Sequence, residues 1–333
     1  MLPDLAEILA NAQVFSLPLR LPFRGVTHRE GMLIQGPAGW GEFAPFVEYG
    51  PSESSRWLAA AIEAAWQGWP QGVRDEIAVN AIVPEVSPET AERLVAESGC
   101  SSVKVKVAAS RSSFDSDVAR VAAVRNAVGA AGQVRIDANG AWSVDDAVGA
   151  LKTLNRYDLE YVEQPCRTVA ECAEVRRLTD VRVAVDEGIR KADHPEQVVG
   201  LKAAADIVIV KVAPLGGVNV ALALVEKYEL PAVVSSALDT SVGLAAGAAL
   251  AAALPSLPFA CGLGSGLLLA ADVTTNPMVP AGGRIRPRSV APDDQTLEAV
   301  AASPEQVARW RSHLADSYQA LEERAVAHRG GTR

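Results

Sequence analysis

The chain changes its pattern of apolar and polar positions near residue 75. Beyond that point, short apolar runs alternate with longer stretches whose apolar residues recur at helical spacing. Such alternation is typical of repeated strand–helix units that build a parallel sheet. Eight strands with intervening helices predict an α/β fold, a modified TIM barrel of the (β/α)7β type. The eight apolar runs are EIAVNAIV (76–83), SVKVKV (102–107), QVRIDAN (133–139), LEYVEQP (159–165), VRVAVDE (181–187), DIVIVKV (206–212), PAVVSSAL (231–238) and FACGLGSG (259–266).

A doubly wound parallel sheet is the alternative for the same alternation. That fold commonly places a glycine-rich phosphate loop after its first strand. Here the sequence at that point reads IVPEVSPE (82–89), which has no glycine. The GLGSG run at 262–266 follows the last apolar run and carries little weight as a nucleotide loop. We therefore favour the barrel.

The region before residue 75 has a different organisation. NAQVFSLPLR (11–20) and EGMLIQGPAGWGEF (30–43) read as antiparallel strands around the loop LPFRGVTHRE (21–30). An Ala-rich helix is predicted over 52–69, and a polar helix near 304–326. We predict an N-terminal α+β capping domain (1–74), a catalytic barrel (75–285) and a C-terminal segment (286–333) that returns to the cap.

Charged residues mark the ends of successive apolar runs. SVKVKV alternates valines with Lys104 and Lys106, so both lysines share one face of a strand. Starting from Lys106, charged residues follow at intervals of 31, 26, 23 and 25 residues, each the length of one strand–helix unit. Active sites of barrels form at the C-terminal ends of the strands, so we predict one shared site. Taken singly, each acid is more simply explained as a helix cap. The four residues after Lys106 are Asp137, Glu163, Asp186 and Lys211.

The residue types at this site indicate a chemistry. Three carboxylates from adjacent strands suit a hard cation such as Mg²⁺, with Mn²⁺ as a substitute, and the absence of a His/Cys cluster disfavours zinc. Lys104 and a bound cation would both lower the pKa of Lys106, which favours Lys106 as a general base. Lys211 is expected on the opposite side of the barrel. Together these groups suit removal of a proton α to a carboxylate. Arg135 is expected to be a structural partner of the acids.

The composition narrows the class of partners. The 333 residues carry a net charge of −9 without a basic tract, which argues against nucleic acid. The N-terminus has no basic region typical of a signal peptide. The charge-free stretch 240–271 is interrupted by Pro255 and Pro258, which favours a buried helix and strand over a membrane span. We expect a cytoplasmic enzyme with reduced cysteines and a small-molecule partner; the oligomeric state stays open.

Taken together, these motifs resemble the enolase superfamily. The matching segments are KVK (104–106), DAN (137–139), EQP (163–165), DE (186–187) and VKVAPLGG (210–217). A Lys-x-Lys strand with an opposed lysine is similar to the muconate-cycloisomerase-like branch, and the resemblance covers nearly the whole chain. It implies that Lys106 and Lys211, with Lys104 beside them, are catalytic. It also implies that Asp137, Glu163 and Asp186 bind Mg²⁺.

Within that branch the chain is most similar to the o-succinylbenzoate synthase family. The similar segments are REGMLIQGPAGWGEFAPF (29–46), VRIDANGAW (134–142), SSALDTSVGLAAGAALAAAL (235–254) and CGLGSG (261–266). The resemblance implies Mg²⁺-dependent syn-dehydration of 2-succinyl-6-hydroxy-2,4-cyclohexadiene-1-carboxylate through an enediolate, a step of menaquinone synthesis. Backbone geometry explains the serines and glycines below equally well. The candidate substrate contacts are Ser235, Ser236, Gly262, Gly264, Arg24, His28 and Asn139.

Three other activities stay open at this point. N-acylamino-acid racemases and dipeptide epimerases share the same pattern of two lysines. Dipeptide epimerases, however, carry an acidic motif on the last strand, where this chain reads FACGLGSG. Muconate cycloisomerisation is less favoured by the SALDTS segment (236–241). An alternative outside the enzymes is a barrel that binds a ligand without catalysis, and the presence of both Lys106 and Lys211 argues against it.

Overall fold

The computed structural model describes residues 2–23, 25–109 and 113–330. Its strands are β1 (Ala12–Phe23), β2 (Val26–Gly36), β3 (Gly39–Phe43), β4 (Ile77–Ala78), β5 (Ala81–Val83), β6 (Ser102–Lys106), β7 (Gln133–Asp137), β8 (Leu159–Glu163), β9 (Val183–Val185), β10 (Ile207–Val210), β11 (Ala232–Val234) and β12 (Arg284–Ile285). Its helices are α1 (Leu5–Ala10), α2 (Pro51–Ile62), α3 (Pro88–Ser98), α4 (Phe114–Val128), α5 (Val144–Leu154), α6 (Val169–Leu178), α7 (Glu187–Arg190), α8 (Leu201–Ala204), α9 (Val212–Leu215), α10 (Val218–Tyr228), α11 (Ser241–Ala253), α12 (Asp294–Ala299) and α13 (Pro304–Gly330).

The central element is a parallel sheet whose strands lie in the order β5–β6–β7–β8–β9–β10–β11. The strands are parallel because each is followed by a crossover segment long enough to return the chain to the same end of the sheet. The register places Lys106 beside Asp137, and Asp137 beside Glu163. Neighbouring strands therefore end at the same level, as the spacing of the charged residues predicts.

The eighth apolar run closes the ring without forming a regular strand. The Gly262 amide donates to the Val234 carbonyl at 2.8 Å, and the Cys261 amide donates to the Ala78 carbonyl at 2.7 Å. Segment 261–262 thus bridges β11 and the first run, which is itself divided into β4 and β5. The predicted barrel architecture is confirmed, with its first and last strands shortened.

Strand β6 separates its apolar and charged side chains as the alternation predicts. Val103 and Val105 are fully buried, in one hydrophobic cluster with Val121 and Val124 of α4. Burying a valine stabilises the fold by about 2 kcal/mol. The lysines of β6 occupy the other face, inside the barrel.

The capping region is a three-stranded antiparallel sheet, β1–β2–β3, which contacts α2 and the C-terminal helix α13. Glu30 of β2 accepts a hydrogen bond from Nε1 of Trp310 at 3.0 Å and pairs with Arg309. Helix α13 therefore returns to the cap, and α2 contacts α9 of the barrel. The domain boundaries at 74 and 285 stay predictions.

The segment that connects β9 to β10 contains two short helical pieces after α7. HPEQVVGLKAA (194–204) forms a single 3₁₀ turn at Pro195–Gln197 and then the short helix α8. Gly200 separates the two with a φ of 76°, a conformation that favours glycine. This connection is therefore helical only in part.

The uncharged segment after residue 240 forms the buried helix α11, followed by a non-helical stretch at 254–262. Among the residues that the structure describes, no helix has the length and apolar character needed to span a membrane.

Candidate active site

The charged residues at the strand ends converge at one end of the barrel. Lys106, Asp137 and Glu163 are the last residues of β6, β7 and β8. Asp186 and Lys211 directly follow β9 and β10. All three carboxylates are buried, with at most 1% of their surface exposed. The sequence interval of one strand–helix unit therefore does correspond to spatial neighbours.

Lys104 lies one layer below this level and forms the most buried ion pair of the group. Its Nζ donates to both carboxylate oxygens of Glu163, at 2.9 and 3.1 Å, and lies 3.4 Å from Oδ2 of Asp137. Burial alone would lower the pKa of Lys104, but the two carboxylates outweigh it and raise that pKa. Lys104 is therefore a fixed positive charge beneath the site.

Lys106 is positioned differently. Its Nζ donates to Oδ2 of Asp137 at 2.5 Å and to Oδ1 of Asn139 at 2.8 Å. Burial lowers the pKa of Lys106, and the ammonium of Lys104 lowers it further, against the opposing effect of Asp137. The predicted direction is thus confirmed, although burial contributes more than Lys104. A lysine with a lowered pKa is suited to general-base chemistry.

Lys211 forms the corresponding pair on the other side of the barrel. Its Nζ donates to Oδ2 of Asp186 at 2.6 Å. The second oxygen of Asp186 accepts a hydrogen bond from Nε of Arg190 at 3.1 Å. Burial would raise the pKa of Asp186, but Arg190 and Lys211 outweigh it and hold that pKa well below its usual range.

A small cavity of about 40 Å³ lies above these pairs. Lys104, Lys106 and Lys211 line its floor, and the cap contributes Phe46, Tyr49 and Trp57 to its wall. The cavity therefore combines cations with aromatic surface, which suits an anionic ligand with a hydrocarbon ring. Its remaining lining residues are Ile82, Asn139, Arg190, Pro214, Ser235, Ser236, Ala237, Leu238 and Ser265.

Three of the predicted substrate contacts, Asn139, Ser235 and Ser236, line this cavity. Ser236 Oγ donates to the Gly262 carbonyl at 2.7 Å and lies 2.8 Å from the hydroxyl of Ser265. These hydroxyls are therefore held in place by the last barrel segment. Their role as substrate contacts stays a prediction.

Gly262, Gly264 and His28 are not among the residues that line the cavity. A Cβ added to Gly262 would lie 2.4 Å from Oγ of Ser235, and one added to Gly264 would lie 2.9 Å from the Asn80 carbonyl oxygen. Close backbone approach thus accounts for both glycines. His28 is exposed and lines a separate groove on the cap. Arg24 lies outside the described residues.

Two features of the site were missed or misplaced by sequence reasoning. Arg190, almost fully buried, was not identified, although its spacing of four residues from Asp186 on a helical turn was a usable signal. Arg135 does not contact the acids of the site. It pairs instead with Glu160 at 2.5 Å and donates to the Ala260 carbonyl at 2.7 Å, deeper in the barrel.

The donor set of the three acids fits a divalent cation. Within the described part of the chain, no group of three or more His, Cys, Asp or Glu side chains surrounds a common metal position. Instead, lysines neutralise the carboxylates. Burial and the neighbouring Asp137 raise the pKa of Glu163 to about 7, a repulsion that added positive charge relieves. Carboxylate oxygens are the type of ligand that Mg²⁺ prefers in proteins, so the chemistry of these donors fits this ion.

Family comparisons match both parts of the chain. A family model described as enolase C-terminal domain-like matches residues 87–293. A second, described as enolase N-terminal domain-like, matches residues 14–65. The o-succinylbenzoate synthase of Thermobifida fusca is 56% identical over 94% of this chain and 98% of its own length.

Solved structures share the fold at low sequence identity. The N-succinyl Arg/Lys racemase of Bacillus cereus has a TM-score of 0.74 and 21% identity, covering 88% of this chain and 97% of its own. The muconate lactonizing enzyme of Pseudomonas putida has a TM-score of 0.73 and 19% identity, covering 87% of this chain and 98% of its own. At this identity the likeness concerns the fold alone.

Proposed function

Because this chain belongs to the o-succinylbenzoate synthase family of the enolase superfamily, we propose that it dehydrates 2-succinyl-6-hydroxy-2,4-cyclohexadiene-1-carboxylate to o-succinylbenzoate. The family assignment made from the motifs is confirmed, and with it the class of the enzyme, a lyase. The observation that carries the site assignment is the placement of two lysines, Lys106 and Lys211, on opposite sides of one cavity.

Lys106 is proposed as the base. In its neutral form the Nζ takes the proton from the ring carbon that bears the carboxylate. The same ammonium then returns that proton to the departing ring hydroxyl, which leaves as water. The electron pair released from the C–H bond becomes the new ring double bond, so the product is aromatic and the atoms balance. One residue serves both steps because the proton and the hydroxyl leave from the same face.

Lys211 is proposed to stabilise the charge that develops when the proton leaves. It is held on Asp186 across the barrel from Lys106, so its ammonium can face the opposite side of a flat ring. Lys211 lines the same cavity as Lys106, so it has access to the substrate without competing for the same proton. Preorganised charge of this kind stabilises a transition state more than a ground state.

Asp137, Glu163 and Asp186 are proposed to hold Mg²⁺, with Mn²⁺ as a substitute. When bound, the ion would neutralise the substrate carboxylate and so acidify its α-proton. The candidate contacts Ser235, Ser236 and Asn139 remain proposals for the succinyl arm and ring. A small dicarboxylate substrate and a cytoplasmic location belong to the same proposal.

The first experiment replaces Lys106. Lys106→Ala should lower kcat for dehydration by about a hundred- to ten-thousandfold, the usual contribution of general-base catalysis. Lys106→Arg is the matched control that keeps the positive charge but cannot act as a base near neutral pH. Both variants should lose exchange of the substrate α-proton with D₂O. Full turnover in Lys106→Ala would show the proposed mechanism to be wrong.

A second experiment separates dehydration from racemisation, because two opposed lysines also suit a proton swap between faces. The cyclohexadiene substrate and an N-succinyl amino acid are offered to the same preparation. We expect kcat/KM to be higher for dehydration. Much faster racemisation would move the assignment to an N-acylamino-acid racemase.

A further inference from the structure

A buried turn next to the cation-binding acids connects the two lysines of the site. Helix α7 begins directly after Asp186 and carries Glu187 and Arg190. Nη2 of Arg190 donates to Oε1 of Glu187 at 2.6 Å, and Nε donates to Asp186 at 3.1 Å. The arginine also reaches the cap, where Nη1 donates to the Tyr49 hydroxyl at 3.2 Å. Arg190 therefore fixes the side chain of Glu187 from one side.

From the other side Glu187 is bound to Asn139. Nδ2 of Asn139 donates to Oε1 of Glu187 at 3.2 Å, and Oδ1 of Asn139 accepts from Nζ of Lys106 at 2.8 Å. The backbone of Asn139 is fixed as well, because its amide donates to Asp137 at 2.9 Å. Because Glu187 can only accept, it forces the amide oxygen of Asn139 to face Lys106.

This orientation matters for a base. A neutral lysine amine has two N–H bonds and one lone pair, at tetrahedral directions. Asp137 and Asn139 together supply two acceptors to Lys106. When both N–H bonds are donated to these acceptors, the lone pair must point in a different direction. Because Lys106 lines the substrate cavity, that direction can be towards the substrate. An amide turned the other way would present an N–H donor to the lone pair instead.

The second oxygen of Glu187 is a further sign of function. Oε2 is buried and has no hydrogen-bond partner among the described residues. Burying an unsatisfied carboxylate oxygen costs free energy. A fold tolerates this cost where the position of the group is needed, as is typical of active sites.

We infer that Glu187 is a positioning residue that fixes the Asn139 amide and, through it, aims the Lys106 amine at the substrate. This role rests on the proposed function of Lys106 as the base. Glu187 is not itself a lining residue of the cavity; it bonds two residues that are, Asn139 and Arg190. Arg190 also bonds Asp186, whose other oxygen accepts from Lys211, so Lys211 keeps its own partner when Glu187 is replaced.

The test compares Glu187→Leu with Glu187→Gln in the full-length protein. Leucine keeps the volume but accepts no hydrogen bond, whereas the glutamine oxygen can still accept from Asn139 and Arg190. We expect Glu187→Leu to lower kcat by about ten- to a hundredfold, the cost of a base displaced by about 1 Å. KM should stay within about twofold, and Glu187→Gln should retain kcat within about fivefold.

A double-mutant cycle distinguishes positioning from a structural role. Because Glu187 acts through Asn139, the variant Glu187→Leu/Asn139→Ala should be no slower than Asn139→Ala alone, within about twofold. Multiplicative losses in the double variant would overturn the inference. So would an unchanged kcat in Glu187→Leu. If Glu187→Leu does not fold, Asn139→Ala decides, because unchanged turnover in that variant excludes the relay.

Glu160→Gln is the matched control. Glu160 also pairs with a buried arginine, Arg135, but deeper in the barrel and away from the cavity. The kcat of Glu160→Gln should stay within about twofold of that of the unsubstituted protein. An equal loss of kcat in Glu160→Gln and Glu187→Leu would contradict a positioning role. Each variant is also assayed for exchange of an N-succinyl amino acid α-proton in D₂O. If the unsubstituted protein exchanges but does not dehydrate, the proposed function fails while the inference is still tested.

Discussion

Both carboxylate oxygens of Glu163 accept hydrogen bonds from Nζ of Lys104, at 2.9 and 3.1 Å. Lys104 is 5% exposed and Glu163 1%, so each neutralises a charge that water cannot reach. The pair is not a surface salt bridge with a small effect. It is a buried pair whose separation leaves one charge without a partner.

Lys104→Met should therefore destabilise the protein strongly. We expect a loss of about 3–5 kcal/mol in the free energy of unfolding, measured by urea denaturation, because Glu163 is left buried and unpaired. Lys202→Met is the control. Lys202 pairs with Glu229 at 2.7 Å, but both side chains are more than half exposed, so the change should stay below about 1 kcal/mol. Equal effects in the two variants would contradict this account.

Titration of Glu42 should make the free energy of unfolding depend on pH. Burial, followed by repulsion from Asp239, raises the pKa of Glu42 to about 8, although Arg29 opposes the shift. Since the unfolded pKa is about 4.3, the proton bound by Glu42 stabilises the folded state fully at low pH. That contribution is lost as pH rises through the folded value.

Relative to Glu42→Gln, the unsubstituted protein should thus lose stability between about pH 5 and 8, by at most about 1.4 kcal/mol per pH unit. Urea denaturation of both proteins at several pH values gives the difference. The glutamine keeps an acceptor for the Thr240 amide, which Glu42 accepts at 3.1 Å. A difference that does not vary with pH would rule out the raised pKa.

Divalent cations should stabilise the folded protein. Mg²⁺ that binds only the folded state at a hundred times its Kd adds about 2.7 kcal/mol and raises Tm. Glu163→Gln should lose most of this shift. Asp206→Asn is the control: it removes a carboxylate that pairs with Arg176 outside the site, so this variant should keep the Tm shift produced by Mg²⁺. EDTA should abolish turnover, and an unchanged Tm shift in Glu163→Gln would place the cation elsewhere.

Glu63, which follows α2 of the cap, should stabilise the contact between the cap and the barrel. Its carboxylate accepts from the Val218 amide at 2.5 Å, and from the Asn219 amide at 3.1 Å, at the beginning of α10. Glu63→Ala should cost about 2 kcal/mol, because a helix cap and charge-assisted hydrogen bonds are lost. Glu92→Ala, an exposed position on α3, is the control and should change stability by less than about 0.5 kcal/mol. A Glu63→Ala variant as stable as the control would contradict this docking role.

Much of the site was predictable, because residues one strand–helix unit apart in the sequence lie side by side on adjacent parallel strands. Lys106, Asp137 and Glu163 end adjacent strands in register, so one charged residue per strand–helix unit was enough to group them. The wall of the cavity was not predictable in this way. Phe46 and Trp57 belong to the cap, and their apolar side chains give the same signal as core residues.

The alternation and charge spacing of the sequence by themselves determined the barrel and the identity of its charged rim. Periodicity reports which face and which end of an element a residue occupies. Only the tertiary structure decided that Lys104 binds Glu163, that Arg135 pairs with Glu160, and how Glu187 joins the two lysines. The contact between Tyr49 and Arg190 spans 141 residues of chain. Such partners are selected by packing between distant segments, which leaves no period in the sequence.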